Sequence, residues 1–295
     1  MKEETTKHIP VLLNEVVGYL APERGQSYLD LTAGYGGHAD KILEVTQNYK
    51  EAILNDRDGN AVDYLKVKYR DVKPKITHES FYNAALRLVE SGTEFDMVLA
   101  DFGVSSPQLD ERSRGFAIAL DARLDMRMDE RQDLDAWMVV NRWSERRLAE
   151  IFVKYGEERM GRAKMLAREV VCSRPINTTG ELSEVIKRKS GYMKTHPATR
   201  IFQAIRIVVN DELGEIERTL PLVTKLLKPG GRVGVISFHS LEDRLVKQYM
   251  QRASGQGMES ELVMLTKKPV VAGQNELVNN PRARSAKLRV AERLS

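Results

Sequence analysis

The sequence predicts an α/β protein in which a parallel sheet carries helices on both faces and a helical segment interrupts the pattern. Apolar strand-like runs alternate with helical patterns from Ser27 to Asp101, which favours parallel strands joined by helices. From about Arg131 to Lys189 no convincing strand occurs and helical periodicity takes over. The sheet pattern returns in the run 232–238, after the turn-like sequence at 228–231. One α/β domain with a helical insertion of about 80–100 residues accounts for these three observations.

The individual elements follow from short apolar runs and from amphipathic periodicity. The predicted strands of the first half are Ser27–Leu31, Ala52–Asn55, Lys75–Thr77 and Phe95–Ala100. The helices predicted between them are His38–Thr46, Asn60–Lys68 and Asn83–Glu90. In the insertion, apolar residues at i, i+3, i+4 and i+7 indicate one helix face, formed by Leu148, Ile151, Phe152 and Tyr155, and Ala163–Val171 continues as a helix.

These patterns predict three segments. Residues 1–112 form the first part of the α/β domain, 113–210 the inserted helical domain, and 211–295 the second part with a basic tail. Within the last segment, Ala253–Asn280 is loosely patterned and is predicted to be a loop with a weak strand pair.

Composition excludes several classes of protein. The 295 residues are 42% apolar and 30% charged, which is ordinary for a soluble protein with a packed core. No apolar run approaches the roughly 20 residues of a membrane span, and no apolar signal segment follows the first charged residues. The single cysteine, Cys172, excludes an internal disulfide framework and predicts a reducing compartment, the cytoplasm. Five scattered histidines and one cysteine give no metal-ligand spacing, so no metal is expected.

Basic residues are unevenly placed although the net charge is only +4. Six lysines or arginines and no acid occur from Val185 to Asn210, and five occur against one glutamate from Asn279 to Ser295. A solvated surface explains a single run of this kind, but two runs beside a nucleoside site favour a polyanionic substrate.

A glycine-rich turn follows the first predicted strand. Gly34, Gly36 and Gly37 lie within four residues, and an amphipathic helix begins at once. Glycines let a ligand approach the backbone, and the start of a helix adds free N–H groups. The second strand ends in Asp56, where a nucleoside ribose is usually held, so the first half of the chain is predicted to bind a nucleoside-containing cofactor.

The turn fits the pattern G-x-G-x-x-A, which leaves a nicotinamide-dependent or flavin-dependent oxidoreductase open. Asp30 adds a carboxylate close to the turn, and carboxylates repel a dinucleotide's pyrophosphate. S-adenosylmethionine carries no phosphate and has an ammonium and a sulfonium. The acids therefore favour the methyl donor.

The fourth predicted strand ends in another acid, Asp101, which is expected to border the same cleft. Phe81, after the third strand, is a candidate for the adenine face, with a core position as the alternative.

Longer blocks of the sequence resemble a known family, the bacterial small-subunit (16S) ribosomal RNA cytosine-N4-methyltransferases. The blocks span His8 to about Arg293, which is nearly the whole chain. They are His8–Glu15, Gly36–His38, Asp101–Asp110, Leu124–Asp129, Tyr155–Arg159, His196–Ala204, Ile236–Arg244 and Asn280–Arg289.

The resemblance implies a Rossmann-like, S-adenosylmethionine-dependent methyltransferase with an inserted helical substrate-recognition domain. It implies one cytidine in the decoding region of small-subunit ribosomal RNA as the substrate, within the assembled small subunit. The positions that match the family's cofactor contacts are Gly36, Gly37, His38, Asp56, Phe81, Asp101 and Gln108.

Methylation of a cytosine amine needs an acceptor for the amine proton, because the nitrogen lone pair is delocalised into the ring. Asp101 is the first catalytic candidate, and backbone carbonyls around 102–103 are the second. The base must leave any stack, and an aromatic face would hold it. Phe102 and Phe238 are the candidates, with a core position as the alternative for each. The remaining substrate-binding candidates are His239, Arg282, Arg284 and Arg289. The alternatives left open are a nicotinamide-dependent oxidoreductase, a non-catalytic RNA-binding ribosome-assembly factor, and a methyltransferase for DNA or a small molecule.

Overall fold

The computed structural model describes residues 10–190, 196–255 and 260–294. They form two compact units, one from the described residues up to Gly103 together with those from Leu213 onward, and one from Val104 to Glu212. His8 and Ile9 of the first sequence block and Lys194 of the first basic run lie outside the described residues.

The first unit is built on a seven-stranded sheet with strand order β3-β2-β1-β4-β5-β7-β6. Strands β1 to β5 are parallel, and β7 runs antiparallel between β5 and β6. The strands are β1 Tyr28–Asp30, β2 Ala52–Asp56, β3 Lys75–His78, β4 Phe95–Asp101, β5 Leu227–Ser237, β6 Leu262–Met264 and β7 Lys287–Arg293. The helices are α1 Leu13–Leu20, α2 Gly37–Thr46, α3 Gly59–Lys68, α4 Phe81–Glu90, α11 Glu212–Lys225, α12 Ser240–Ala253 and α13 Gln274–Asn279.

Both faces of this sheet are buried, because alternate side chains of β4 belong to two different apolar cores. Met97 and Leu99 contribute to one apolar core, and Val98 and Ala100 contribute to the other. Successive side chains of a strand point to opposite faces, so a strand covered on both sides reads as a continuous apolar run. The predicted parallel sheet with helices on both faces is confirmed.

The second unit is helical. Its helices are α5 Ser106–Asp110, α6 Ala136–Arg142, α7 Glu145–Lys154, α8 Met160–Cys172, α9 Thr179–Arg188 and α10 Thr199–Asn210. They enclose a separate core to which Leu148 and Phe152, on the predicted helix face, contribute fully buried side chains. The only β pairing among this unit's described residues is an isolated bridge between Arg123 and Thr178.

A long connection leads from α5 to α6 in the second unit, and two buried polar side chains hold it. The Arg114 guanidinium donates to the carbonyls of Arg127 and Met128 at 3.0 Å each. Asn210 accepts from the Met128 N–H at 2.8 Å and donates to the Met126 carbonyl at 2.8 Å. These bonds satisfy backbone groups that no helix or strand pairs.

Two local predictions near the carboxyl end are wrong. The predicted turn at 228–231 lies within β5, as an irregularity between the pairs Phe95 with Leu227 and Met97 with Arg232. Gly230 has φ +75°, a left-handed conformation that glycine adopts without a steric penalty. The end of the basic tail forms β7 inside the sheet, with Leu288 and Val290 fully buried. The stretch 253–280 contains β6, as its predicted weak strand content suggests, and also α13.

None of the described helices combines the length and the apolar character that crossing a membrane requires.

Candidate cofactor-binding site

The glycine turn lies between β1 and α2 at the carboxyl edge of the parallel strands. Gly34 and Gly36 have φ +51° and +77°, and Gly36 is the N-cap of α2. A Cβ on Gly36 would lie 2.9 Å from the Tyr69 hydroxyl, and one on Gly37 would collide with Pro10. Beside Gly34, by contrast, no heavy atom of the described residues lies within 4 Å of the Cβ position, which leaves the backbone there open to a ligand.

Asp56 ends β2, as predicted, and joins the turn to that strand. Its Oδ2 accepts from the Gly34 N–H at 2.7 Å, and its Oδ1 accepts from the Asp58 N–H at 2.8 Å. Burial raises the pKa of this carboxyl, and the two backbone hydrogen bonds oppose the rise. Each carboxylate oxygen accepts more than one hydrogen bond, so Asp56 has capacity for a further donor.

Asp30 ends β1 and is buried. Its Oδ2 accepts from the Tyr28 hydroxyl at 2.8 Å, and its Oδ1 accepts from the Thr32 N–H at 3.1 Å. Burial raises its pKa to about 7, and the charge of Asp56 adds to the rise. The pKa of the buried Tyr28 hydroxyl, which donates to Asp30, is itself raised, first by burial and then by the charge of Asp30.

Asp101 ends β4, and its two carboxylate oxygens differ in their surroundings. Its Oδ2 lies 3.9 Å from His38 Nδ1, while the His38 Nε2 is 2.9 Å from the Val11 carbonyl. Its Oδ1 is buried and has no hydrogen-bond partner among the described residues. Burial raises the pKa of Asp101 well above its usual range, and the charges of Asp30 and Glu242 add to this effect. Oδ1 therefore has acceptor capacity that the described residues do not use.

Two aromatic contacts flank the ends of these strands. Phe81 is the first residue of α4, and its ring centroid lies 5.2 Å from that of Phe102 in a tilted arrangement. Both phenylalanines are buried, at 8% and 3% exposure, so their principal contacts are within the core. The partly buried ring of Phe238 lies against Gly103, where a Cβ would be 3.2 Å from the ring.

His239 takes a structural position that the sequence analysis did not foresee. It is the N-cap of α12, and its Nδ1 accepts from the Glu242 N–H at 3.4 Å. The buried carboxylate of Glu242 in turn accepts from the N–H groups of Phe238 and His239, at 2.7 and 3.2 Å. This reciprocal capping box fixes the chain after β5. The predicted contact between His239 and substrate stays a prediction.

The other predicted site residues are not all gathered at this edge of the sheet. Gln108 belongs to the second unit, where its Oε1 accepts from the Ser105 N–H at 3.0 Å. Arg282 and Arg284 are exposed in a short 3₁₀ helix before β7. Arg289 is 4% exposed and pairs with Asp243 at 2.7 Å, which lowers the pKa of that carboxyl. Arg289 therefore lies inside the sheet region, away from the solvated basic face expected of it.

The sequence analysis did not identify Lys68, Tyr69 and Asp40, which stabilise the glycine turn through side-chain contacts. Lys68 Nζ donates to the Tyr35 carbonyl at 3.0 Å and pairs with Asp40 at 2.5 Å. The Tyr69 hydroxyl donates to the other Asp40 oxygen at 2.7 Å. These contacts join residues about thirty positions apart, which no local pattern could have disclosed.

Three buried or largely buried acids, Asp30, Asp56 and Asp101, thus end three adjacent strands around a glycine turn. The pKa of each of these carboxyls is raised, so a cationic ligand would stabilise their ionised forms, whereas the phosphates of a dinucleotide would disfavour them further. The geometry therefore suits a nucleoside that bears positive charge and no phosphate.

Comparison with known proteins agrees with this interpretation. A ribosomal RNA small subunit methyltransferase H from Trichormus variabilis is 47% identical over 99% of this chain and 94% of the relative. The protein of the same name from Acidobacterium capsulatum is 44% identical over 98% of this chain and 99% of the relative. A solved rRNA methylase from Streptococcus thermophilus aligns over 97% of this chain and 99% of that one, at 8% identity and a TM-score of 0.44, a similarity too low to add to the argument.

The resemblance inferred from the sequence blocks is confirmed at the level of the family. The model of one family matches residues 5–294. The chain belongs to the MraW methylase family.

Proposed function

We propose that this protein transfers a methyl group from S-adenosylmethionine to the N4 amine of a cytidine in small-subunit ribosomal RNA. Family membership over residues 5–294 carries the reaction class, and the names of the relatives point to ribosomal RNA as the substrate. The choice of a cytidine amine in the decoding region, within the assembled subunit and in the cytoplasm, rests on the resemblance of the sequence blocks.

The residues at the carboxyl edge fit S-adenosylmethionine. The open backbone at Gly34 and the start of α2 suit a nucleoside, and Asp56 has acceptor capacity for ribose hydroxyls. The carboxyls of Asp30 and Asp101, at neighbouring strand ends, would attract the positively charged donor in their ionised forms. Phe81 is the proposed contact for the adenine face, with its core position beside Phe102 as the alternative. The bound donor supplies a methyl group made electrophilic by the positive charge on sulfur.

Asp101 is the proposed proton acceptor for the cytosine amine. An in-line displacement at carbon needs alignment of the nitrogen, and the nitrogen must lose a proton as its lone pair forms the new bond. Asp101 lies at a strand end with one buried oxygen unpartnered among the described residues and the other facing His38. The carboxylate would accept the amine proton as the nitrogen forms its bond to the methyl carbon. The backbone carbonyls at Phe102 and Gly103 are the alternative acceptors.

Recognition of RNA is assigned to the helical second unit and to the exposed arginines before β7. A target base must leave its stack to reach the methyl group, and aromatic faces hold bases of this kind. Phe238, partly buried against Gly103, is the proposed platform for the extruded cytosine. Arg282 and Arg284 are proposed to contact RNA phosphates.

The nicotinamide-dependent alternative gains no support from the family, and the acids at three strand ends oppose a pyrophosphate. A non-catalytic assembly factor would bind RNA with a strong salt dependence and transfer no methyl group.

The decisive experiment incubates the protein with isotopically labelled S-adenosylmethionine and small ribosomal subunits from cells that lack the enzyme, followed by nucleoside analysis. Label in N4-methylcytidine is the expected result. Asp101→Asn should slow its formation by about 10²- to 10⁴-fold. Asp63→Asn, which removes an exposed carboxylate on α3, should leave it unchanged. Unlabelled RNA after incubation with folded wild-type protein would contradict the proposal.

A further inference from the structure

Both tryptophans of this protein lie at the two ends of one short helix in the second unit. Trp137 is in the first turn of α6, and Trp143 is its C-cap. Six residues of helix separate them by about 9 Å, at 1.5 Å per residue. Both side chains are only partly buried.

An exposed arginine covers each of these rings. The Arg142 guanidinium carbon lies 5.4 Å from the Trp137 ring centroid, and that of Arg147 lies 3.3 Å from the Trp143 centroid. Tryptophan is the best aromatic partner for such a cation. A guanidinium over a ring still offers N–H groups to phosphate, and a guanidinium in contact with a ring, at the 3.3 Å of Arg147, offers its other face to a base.

The segment 174–177 fixes both tryptophans. Trp137 Nε1 donates to Asn177 Oδ1 at 3.1 Å, and Arg174 donates to the carbonyls of Val140 and Trp143 at 2.8 and 2.5 Å. Asn141 bridges α6 to the same segment through the Ile176 N–H and carbonyl, at 2.9 and 2.7 Å. These bonds hold the Trp137 indole and the backbone that carries Trp143, which lowers the entropy lost when a ligand is bound.

The charge around the two rings is positive. From Arg142 to Lys154 there are four basic residues and two acidic ones, Glu145 and Glu150. One of the acids, Glu150, is 3.6 Å from Arg146, a side chain that is 89% exposed. Trp137 and Trp143 are partly buried rings that pack against the core of this unit, and the arginines over them are exposed. Aromatic side chains combined with arginines and positive charge are used in binding single-stranded nucleic acid.

We propose that the Arg142–Trp137 and Arg147–Trp143 pairs form a surface that binds a single-stranded part of the ribosomal RNA substrate, outside the cofactor-binding site. The inference rests on the proposed function, which supplies RNA as the substrate. It assigns stacking to the two rings with their arginines and phosphate contacts to Arg142, Arg146 and Arg147.

Intrinsic fluorescence provides a direct test, because the chain has no tryptophan outside this surface. Titration with deproteinised small-subunit RNA should change tryptophan emission in parallel with binding measured independently by filter retention. Binding that leaves the emission unchanged would overturn the inference. A change with assembled subunits but none with deproteinised RNA would assign the surface to a ribosomal protein and overturn it as well.

A double variant, Arg142→Ala with Arg147→Ala, tests the arginines. It should raise the KM for subunits about tenfold and leave the KM for S-adenosylmethionine unchanged. The slope of log K for RNA binding against log salt concentration should become less negative by about 1.4, the contribution of two phosphates on a single strand. The matched control, Lys66→Ala with Arg70→Ala, removes two exposed charges from the first unit and should alter none of these.

Trp143→Phe should retain most of the affinity that Trp143→Leu loses, since the phenyl ring still stacks. If wild-type protein methylates subunits and the double variant has the same KM for subunits and the same salt dependence, the RNA-binding surface is refuted and the proposed function stands. Wild-type protein that transfers no methyl group would refute both.

Discussion

His38 Nδ1 lies 3.9 Å from Asp101 Oδ2, and the opposite side of the imidazole fixes which atom carries the ring proton. The Val11 carbonyl, 2.9 Å from Nε2, can only accept, so Nε2 donates, and Nδ1 is the ring nitrogen nearer to the Asp101 carboxyl. Burial raises the pKa of that carboxyl well above its usual range, and the charges of Asp30 and Glu242 add to the rise.

This arrangement predicts a pH-dependent rate. The pKa of Asp101 is raised, chiefly by burial, so the carboxylate that accepts a proton accumulates only as pH rises through the elevated pKa. The single-turnover rate should climb with pH and then level off. Asp101→Asn should lower that rate by about 10²- to 10⁴-fold, the usual contribution of a general base.

Quenched-flow measurements with saturating S-adenosylmethionine and small subunits would record the profile, and Asp63→Asn serves as a control that should retain it. A rate that is flat with pH and insensitive to Asp101→Asn would place the proton acceptor elsewhere, the backbone carbonyls at 102–103 being next.

Asp56→Ala should weaken binding of S-adenosylhomocysteine by about 10- to 100-fold, because hydrogen bonds to a charged group contribute roughly 1.5–3 kcal/mol. It also frees the Gly34 N–H, which Asp56 accepts at 2.7 Å. Asp58→Ala is the matched control from the same connection, since Asp58 caps α3 through the Asn60 N–H. That variant should lower the Tm and preserve the dissociation constant. If calorimetry finds the same affinity for S-adenosylhomocysteine in Asp56→Ala and wild type, Asp56 does not bind the ribose.

What the sequence could predict follows from the range of each interaction. Strands β1, β2 and β4 are continuous apolar runs that end in an acid, so both the sheet and the positions of Asp30, Asp56 and Asp101 followed from local pattern. β7 was missed because its charged residues suggested a solvated tail, although Arg289 finds a partner in Asp243. The capping of α12 by the His239 imidazole was missed because that bond depends on where the helix begins, and the predicted contact of His239 with substrate stays a prediction.

Asp30 predicts an inverse relation between pH and the stability of the ligand-free protein. Its pKa rises from 3.8 in an unfolded chain to about 7 in the fold, so the folded state binds the proton more tightly between these values. The contribution of Asp30 to the free energy of unfolding is fully present below about pH 4 and is lost as the pH rises to 7. The loss is up to about 4 kcal/mol, at 1.36 kcal/mol per pKa unit.

Asp30→Asn removes that titration. The variant should therefore gain stability relative to wild type at pH 8 and show little difference at pH 4, measured by urea unfolding at both values. A stability difference that is the same at pH 4 and pH 8 would mean that Asp30 is ionised throughout, despite its burial.

Lys68 is expected to govern cofactor affinity although it faces the back of the glycine turn. Its ammonium donates to the Tyr35 carbonyl and pairs with Asp40, which also accepts from the Tyr69 hydroxyl, so loss of the charge should loosen the backbone that approaches the ligand. Lys68→Met should weaken the binding of S-adenosylmethionine and of S-adenosylhomocysteine by similar factors, about tenfold. A change in the geometry of the turn does not discriminate between the two ligands.

Lys66→Met is the appropriate comparison for Lys68→Met, since Lys66 lies on the same helix and forms only an exposed pair with Asp63. It should leave both affinities unchanged, and Lys68→Arg should restore part of the loss by donating to the same carbonyls. A purely electrostatic role would give a different pattern. Removing a cation near a positively charged sulfonium would strengthen binding of S-adenosylmethionine and leave its neutral product unaffected. Calorimetric titration of the three variants with both ligands would therefore separate a positioning role for Lys68 from a charge effect.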